Sequence, residues 1–230
     1  MGRKKYKKIT EVRTFPNVFD YKDESAEAGI KKFFANGKPI TIELCCGQAD
    51  YSISLAEHYP ERNFLAIDRK PNRLWNASVN AKERNTNNVA LLIAYIERLD
   101  EVLKDFKAEE IWITFPDPYP FQSSIKKRLT HPRFLAIYRK LLAENGKVNL
   151  KTDDDTLYEY TLQMIEEGKL KTNFVCNDIY SLEQIPFEYT IKTKYEKMHL
   201  EEGKKIKLVS FSFCHSEPAQ AGEESHFISG

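Results

Sequence analysis

The sequence predicts an α/β fold with a mostly parallel sheet, and two observations support this. Short apolar runs with strand character alternate along the chain with stretches of helical periodicity. Such alternation is typical of parallel strands joined by helices that cover both faces of the sheet. The last two strand-like stretches have no helical pattern between them, which predicts an antiparallel pair at one edge. No internal repeat is present, so a single main domain is expected.

The strands are predicted where short apolar runs end at polar or turn-forming residues. Seven are expected, at residues 40–44, 63–67, 89–94, 111–115, 147–150, about 173–180 and about 206–213. Helices are expected at residues about 24–34, 48–58, 71–84, 97–106, 132–142 and 154–167. The helix at 71–84 begins with Pro71, a residue favoured in the first turn of a helix.

Composition divides the chain into three segments. Residues 1–22 begin with a basic run and show no sustained period, which predicts a basic, flexible N-terminal segment. Residues 23–214 contain all seven predicted strands and are expected to form one domain. Residues 215–230 are rich in Ser, Glu, Ala and Gly, which predicts a disordered tail.

The net charge says little about partners, but the distribution of charge says more. The chain has 35 basic and 34 acidic residues, a formal net charge of +1. Basic residues cluster at 3–8, 126–133 and 192–207, so a near-neutral protein can still present a basic face to phosphates. The alternative, that each cluster is only a solvated surface, stays open.

Several classes of protein are disfavoured by the sequence. The longest apolar run, residues 89–96, is too short to span a bilayer. No apolar stretch follows the N-terminal basic residues, so a secretory signal is not expected. The four cysteines form no CxxC pair, which argues against a disulfide framework and against a metal site. A cytoplasmic protein is therefore expected.

Three predicted strand ends carry residues suited to a ligand, since open α/β sheets bind ligands outside the carboxyl ends of their strands. The small-residue turn at 45–49 lets a ligand approach the backbone after the first strand, and Asp68 ends the second strand. The proline-rich residues 116–120 follow the fourth strand. A dinucleotide and S-adenosylmethionine fit the first two features equally well. Only Gly47 is present of a GxGxxG pattern, so a nicotinamide dehydrogenase is disfavoured.

Six motifs in order carry a resemblance to a known family. They are IELCCG at 42–47, AIDRK at 66–70, FPDPYP at 115–120, KRLTHP at 127–132, LKTD at 150–153 and TKYE at 193–196. Over residues 38–213 the chain resembles the bacterial tRNA (guanine-N7-)-methyltransferases, a class I family. The resemblance implies a Rossmann-like class I methyltransferase sandwich whose seven-stranded, mostly parallel sheet has an antiparallel C-terminal edge. It also implies S-adenosylmethionine as cofactor, tRNA as partner and a monomer or weak homodimer.

The reaction that the resemblance implies is methyl transfer to N7 of a guanine in the tRNA variable loop, at position 46 of the tRNA. Cofactor-binding positions are implied at Glu43, Gly47, Asp68, Tyr95 and Asp117. Glu43 is expected either near the methionine end of the cofactor or as a support of the loop. Asp68 is expected to accept hydrogen bonds from the ribose hydroxyls. A helix-capping role for Glu43 and a plain solvated acid at Asp68 are the alternatives.

Asp117 is the expected catalytic residue. Guanine N7 carries a lone pair and no proton, so its attack on a sulfonium methyl group needs no general base. Positive charge develops on the purine, and a carboxylate that accepts hydrogen bonds from guanine N1–H and the amino group favours that charge. The flanking prolines restrict the loop backbone. The alternative is an aspartate that only suits a proline-rich turn.

Substrate contacts are implied at two motifs and a basic pair. The implied residues are Asp153, Thr193, Tyr195, Glu196, Lys127 and Arg128. The two basic residues are expected to neutralise tRNA phosphates. Asp153 has a second interpretation as the N-cap of the helix that follows it.

Some residues differ from those usual in the family, both within its ExGxGxG pattern and at two later positions. Cys45 and Ala49 replace the first and third glycines, so the turn is expected to differ or to bind the cofactor less closely. Tyr95 replaces an acidic residue near the adenine, and Phe121 replaces a lysine. These departures keep a second hypothesis open, a catalytically weakened relative that binds tRNA or S-adenosylmethionine without efficient turnover.

Overall fold

A computed structural model describes residues 3–214, and eight strands pair into one sheet within them. The strands are β1 (Val18–Asp20), β2 (Ile40–Leu44), β3 (Asn63–Asp68), β4 (Val89–Ile93), β5 (Ala108–Thr114), β6 (Leu142–Thr152), β7 (Lys171–Cys176) and β8 (Lys207–Ser212). Their order across the sheet is β1-β4-β3-β2-β5-β6-β8-β7.

Helices flank the sheet and connect most of its strands. They are α1 (Arg3–Glu11), α2 (Ala26–Phe33), α3 (Asp50–His58), α4 (Pro71–Glu83), α5 (Leu99–Val102), α6 (Pro132–Leu141), α7 (Asp155–Glu167), α8 (Phe187–Thr190) and α9 (Lys194–Glu201). Short 3₁₀ turns also occur, among them one at Gln122–Lys127 after β5.

The predicted fold class is confirmed, with one correction to the strand count. Neighbouring strands from β1 to β6 pair in parallel, whereas β8 is antiparallel to both β6 and β7. Strands β2 to β8 are the seven predicted ones. The eighth, β1, adds to the edge of the sheet beside β4, with Val18 paired to Leu91 and Asp20 to Ile93. A strand of three residues is too short to show an alternating pattern in the sequence.

The start of the chain is more ordered in the structure than its sequence pattern predicts. Helix α1 lies against α4, where Lys8 Nζ donates to Asn76 Oδ1 at 2.6 Å and lies over the Trp75 ring. The Trp75 indole donates to Glu11 Oε2 at 3.2 Å. The basic segment therefore packs on the domain through the second half of α1. The predicted tail at 215–230 lies outside the described residues.

Two further helical segments differ from the prediction. The helix expected at 97–106 is reduced to a 3₁₀ turn and the four residues of α5. Helices α8 and α9 lie between β7 and β8, where no helix was expected. Both are short, with four and eight residues, so neither shows a sustained apolar period.

The sheet brings the predicted ligand-binding turns to one edge. Strand β2 lies between β3 and β5, and every residue of β3 and β4 is buried, as expected of strands covered on both faces. Because the three central strands are parallel, their carboxyl ends meet at the same edge. No helix within residues 3–214 has the length and apolarity needed to cross a lipid bilayer.

Candidate active site

The turn after β2 has a regular backbone pattern. Cys45, Gly47 and Ala49 all adopt the left-handed conformation, with φ of 56°, 60° and 56°. A Cβ atom at Gly47 would meet no other atom within 4 Å, so space lies open beside this backbone. Cys45 and Ala49, which stand in place of the family's glycines, both take a conformation that glycine adopts freely. That conformation costs an L-residue about 1–2 kcal/mol.

Glu43 lies in β2, just before this turn. Its side chain is only 2% exposed, and Oε2 accepts hydrogen bonds from the backbone N–H of Ser52 at 3.0 Å and from its hydroxyl at 2.5 Å. The Thr114 hydroxyl donates to Oε1 at 3.1 Å. Burial raises the pKa of Glu43 to about 7. Glu43 therefore connects β2, α3 and β5, and by accepting the Ser52 N–H in the first turn of α3 it fills the helix-capping role given above as the alternative.

Asp68 connects the same turn to the end of β3. Its Oδ2 accepts a hydrogen bond from Gly47 N at 3.1 Å, and Oδ1 accepts one from Lys70 N at 2.8 Å. The Arg73 guanidinium lies 3.3 Å from Oδ2. These contacts fix the orientation of the Asp68 carboxylate beside the turn. Each of its oxygens can accept a further hydrogen bond only from a direction that none of these donors occupies.

The proline-rich loop after β5 presents Asp117 to solvent. Phe115 and Tyr119, on either side, have φ of 49° and 47°, which is uncommon for aromatic residues. Phe115 N donates to the carbonyl of Lys151 at 2.8 Å, and this bond ties the start of the loop to β6. Asp117 is exposed and accepts no hydrogen bond from any residue in the described chain. Its carboxylate is free to meet a ligand.

Cys45 follows β2, and two of the predicted acids influence its thiol. Crowding around the thiol desolvates it, and the carboxylates of Asp68 and Asp117 add to the effect, which together raise the pKa of Cys45 to about 12. Cys45 is nevertheless exposed, near the carboxylates of Asp68 and Asp117 and the guanidinium groups of Arg69 and Arg73. Tyr95, at the end of β4, is 46% exposed and contacts Tyr21 edge to face at 5.7 Å.

The basic pair after this loop divides into two roles. Lys127 is exposed, with Nζ 5.8 Å from the centre of the Tyr119 ring. Arg128 is only 5% exposed and donates to the carbonyls of Tyr119 at 3.1 Å and Pro120 at 3.3 Å. Its guanidinium also stacks on Tyr160. The expectation that Arg128 binds phosphate is corrected, because its guanidinium is engaged by the two loop carbonyls and the Tyr160 ring and so supports the loop.

Asp153 faces the same edge of the sheet from the end of β6. Its Oδ2 accepts a hydrogen bond from Lys204 Nζ at 3.0 Å, and His199 Nδ1 lies 3.3 Å away. The N-cap of α7 is the next residue, Asp154, which accepts from Leu157 N at 2.7 Å. The helix-capping alternative for Asp153 is therefore ruled out.

The TKYE motif begins α9 and separates into exposed and buried residues. The Thr193 hydroxyl caps the helix by accepting from Glu196 N at 3.2 Å, and Tyr195 is 50% exposed. Glu196 is fully buried and forms an ion pair with Lys151 at 2.8 Å. The expectation that Glu196 contacts the substrate is corrected, because no part of its carboxylate reaches the surface.

Several residues of the site were not expected from the sequence. They are the partners of the predicted acids: Ser52, Thr114, Arg73, His199 and Lys204. Helical spacing alone could have paired Arg73 with Asp68, since Arg73 lies in the first turn after that strand. Ser52 lies only nine residues after Glu43, in the helix that the capping alternative for Glu43 concerned. Thr114, His199 and Lys204 come from distant parts of the chain and gave no local signal. Among residues 3–214, no group of three His, Cys, Asp or Glu side chains could hold a metal ion.

Comparison with known proteins identifies the family. A family model described as "Putative methyltransferase" matches residues 37–209. The tRNA (guanine-N(7)-)-methyltransferase of Bacteroides fragilis is 35% identical over 219 residues, which covers 92% of this chain and 86% of the relative. The Porphyromonas gingivalis protein of the same name is 38% identical, covering 87% and 86%. The chain belongs to the tRNA (guanine-N(7)-)-methyltransferase family. The resemblance found in the six sequence motifs is thereby confirmed.

Solved structures agree on the fold of this methyltransferase family member. The 16S rRNA methyltransferase KamB superposes with a TM-score of 0.63 over 82% of this chain and 94% of its own, at 12% identity. The antibiotic-resistance methyltransferase Kmr gives a TM-score of 0.59 over 83% and 94%, at 14% identity. At such identities the likeness concerns the fold alone.

The methyl donor of a methyltransferase of this family is S-adenosylmethionine. The ends of β2, β3 and β5 fit S-adenosylmethionine in three respects. Space is open at Gly47, the carboxylate of Asp68 is oriented at the turn, and the negative charge of Asp68 and Asp117 suits a cationic sulfonium. When bound, the donor supplies an electrophilic methyl group.

Proposed function

We propose that this protein methylates N7 of a guanine in the variable loop of tRNA. The observation that carries the proposal is the Asp117 carboxylate, which is exposed and free of partners in the described chain. It sits on a proline-restrained loop beside the Gly47 turn, in a member of the tRNA (guanine-N(7)-)-methyltransferase family.

Asp117 holds the base and favours the charge that the reaction creates on it. Its carboxylate accepts hydrogen bonds from guanine N1–H and the exocyclic amino group, which directs N7 toward the methyl group. As N7 forms its bond to the methyl carbon, the bond from that carbon to the sulfonium sulfur would break and a neutral thioether would leave, so the positive charge would pass to the purine, where the negative Asp117 stabilises it. No residue has to remove a proton from N7. The two left-handed residues that bracket the loop keep the carboxylate in place, so the alignment of the reacting atoms is largely prepared in advance.

Residues at the ends of β2, β3 and β4 would hold the cofactor. Asp68 would accept hydrogen bonds from the ribose hydroxyls, Gly47 would allow the ligand to approach the backbone, and the exposed ring of Tyr95 would pack on the adenine. Glu43 contributes by joining α3 and β5 to the end of β2 rather than by touching the ligand.

The tRNA lies across the exposed residues on the same edge. Lys127 contacts phosphate, which gives an affinity that falls as salt rises. Asp153, Thr193 and Tyr195 face the nucleotide from the ends of β6 and α9, and Tyr195 offers a half-exposed ring for base stacking.

The direct test is a methyl-transfer assay on unmodified tRNA transcripts. With tritiated S-adenosylmethionine, we expect label in tRNA and chain cleavage by aniline at one guanosine of the variable loop. A transcript in which that guanosine is replaced by adenosine serves as the control and is expected to stay unlabelled. Cofactor binding without incorporation would instead support a weakened relative, a possibility favoured by the non-glycine residues Cys45 and Ala49.

Asp68→Asn is expected to weaken binding of S-adenosylmethionine by about 10- to 100-fold, because hydrogen bonds to a charged acceptor are each worth about 1.5–3 kcal/mol. The neutral amide also loses the ion pair with Arg73. Isothermal titration calorimetry measures the affinity. Asp20→Asn is the matched control, since Asp20 ends β1 two strands away and pairs with Arg13. An unchanged affinity in Asp68→Asn would remove Asp68 from the cofactor site.

A further inference from the structure

The end of β6 contains a lysine with no exposed surface. Lys151 and Glu196 are both 0% exposed, and their charged atoms lie 2.8 Å apart. Burial lowers the pKa of Lys151, and Glu196 opposes that effect. Taking two charges out of water is costly, and such pairs add little net stability compared with apolar residues. Their placement therefore calls for a role other than holding the domain together.

All three N–H donors of Lys151 have partners on one segment. Nζ donates to the carbonyls of Tyr189 at 2.7 Å and Ile191 at 3.2 Å, and its third contact is Glu196. Glu196 Oε1 also accepts from the Tyr180 hydroxyl at 2.8 Å. The side chain of Lys151 thus links the end of α8, the residues between α8 and α9, and the first turn of α9, and fixes them relative to one another.

The backbone of Lys151 holds the loop that carries Asp117. Its carbonyl accepts the hydrogen bond from Phe115 N, two residues before Asp117. The ring of Phe115 in turn stacks on His199 of α9, with ring centres 5.9 Å apart. One residue therefore joins the Asp117 loop, through its backbone, to the segment 189–196, through its side chain.

We propose that Lys151 and Glu196 are positioning residues for the tRNA. They fix Thr193 and Tyr195 relative to Asp117, so that the nucleotide is held by the segment 189–196 while its guanine reaches the Asp117 carboxylate. This inference rests on the proposed function. It also explains why a motif expected to touch RNA contains a fully buried glutamate: the carboxylate acts through its neighbours on α9.

The test is the double variant Lys151→Met/Glu196→Met, which removes both charges and leaves neither unpaired, so the domain is expected to fold. We expect KM for tRNA to rise at least about tenfold, while the affinity for S-adenosylmethionine changes less than about threefold. Hydrogen exchange is expected to be faster at residues 187–196. The control is Lys147→Met on the same strand, whose lysine pairs with Glu110 and lies far from α9.

Two results would overturn the inference. One is a double variant with wild-type KM and wild-type exchange. The other is an equal loss of tRNA and cofactor binding together with a lowered melting temperature, which would mean a structural role only. If the wild-type protein fails to methylate tRNA, the proposed function fails, and the exchange rates at 187–196 still decide whether the pair anchors that segment.

Discussion

Asp117→Asn is expected to reduce kcat for methyl transfer to tRNA by about 100- to 1,000-fold, the range seen when a preorganised electrostatic partner is removed. Asparagine keeps the size of the side chain but carries no charge, so the cationic purine loses its stabilising carboxylate. The amide also offers N–H donors where guanine presents donors of its own. Single-turnover rates with saturating enzyme separate this effect from weaker binding.

Stability should not change in this variant, since Asp117 is exposed and makes no hydrogen bond with the described residues. The melting temperature is therefore expected to match the wild type. Asp105→Asn is the control, because Asp105 is also exposed but precedes β5, at the opposite edge of the sheet. A rate in Asp117→Asn within twofold of wild type would end the catalytic assignment.

Glu43→Gln is expected to change how stability depends on pH. The pKa of Glu43 is about 7 in the folded protein and about 4.5 when unfolded, so the folded state holds an extra proton between these values. The stability that Glu43 gives the folded protein through this extra proton is fully present below about pH 4.5 and is lost as the pH rises to about 7. The free energy of unfolding of the wild type should fall by up to about 3 kcal/mol over this interval relative to the glutamine variant, which does not titrate.

Urea unfolding between pH 5 and pH 8 measures this difference, with each variant compared with wild type at every pH. Glu110→Gln is a useful control, because paired basic residues lower the pKa of Glu110 and it stays ionised throughout this range. The difference between Glu110→Gln and wild type should therefore stay constant with pH. Parallel curves for Glu43→Gln and wild type would show that Glu43 is already ionised in the folded protein.

The central part of the fold could be predicted because its strands are buried on both faces. Strand β2 matches its predicted bounds of 40–44, and β3 and β4 differ from theirs by one residue, since continuous apolar runs mark such strands clearly. Short elements at the edges were missed. Strand β1 has three residues and α8 has four, so tertiary contacts rather than periodicity decide their conformation.

The location of the candidate site was predictable, but the direction of individual side chains was not. Parallel topology alone brings the turns after β2, β3 and β5 together. Whether a side chain points outward depends on distant partners. Adjacent residues Lys127 and Arg128 take opposite directions because Tyr160 and the loop carbonyls hold only the arginine. Glu196 likewise points inward, because it forms an ion pair with the buried Lys151.

The left-handed residues Cys45 and Ala49 bear on how relatives of this protein are recognised. A search pattern that requires glycine at these positions would miss the chain, although both residues take a left-handed conformation that glycine adopts freely. Side chains at these points also leave the turn fewer alternative shapes than glycine would. The turn therefore loses less conformational entropy when a ligand binds to it. The strained conformation of Cys45 and Ala49 thus makes the turn partly rigid before the ligand binds.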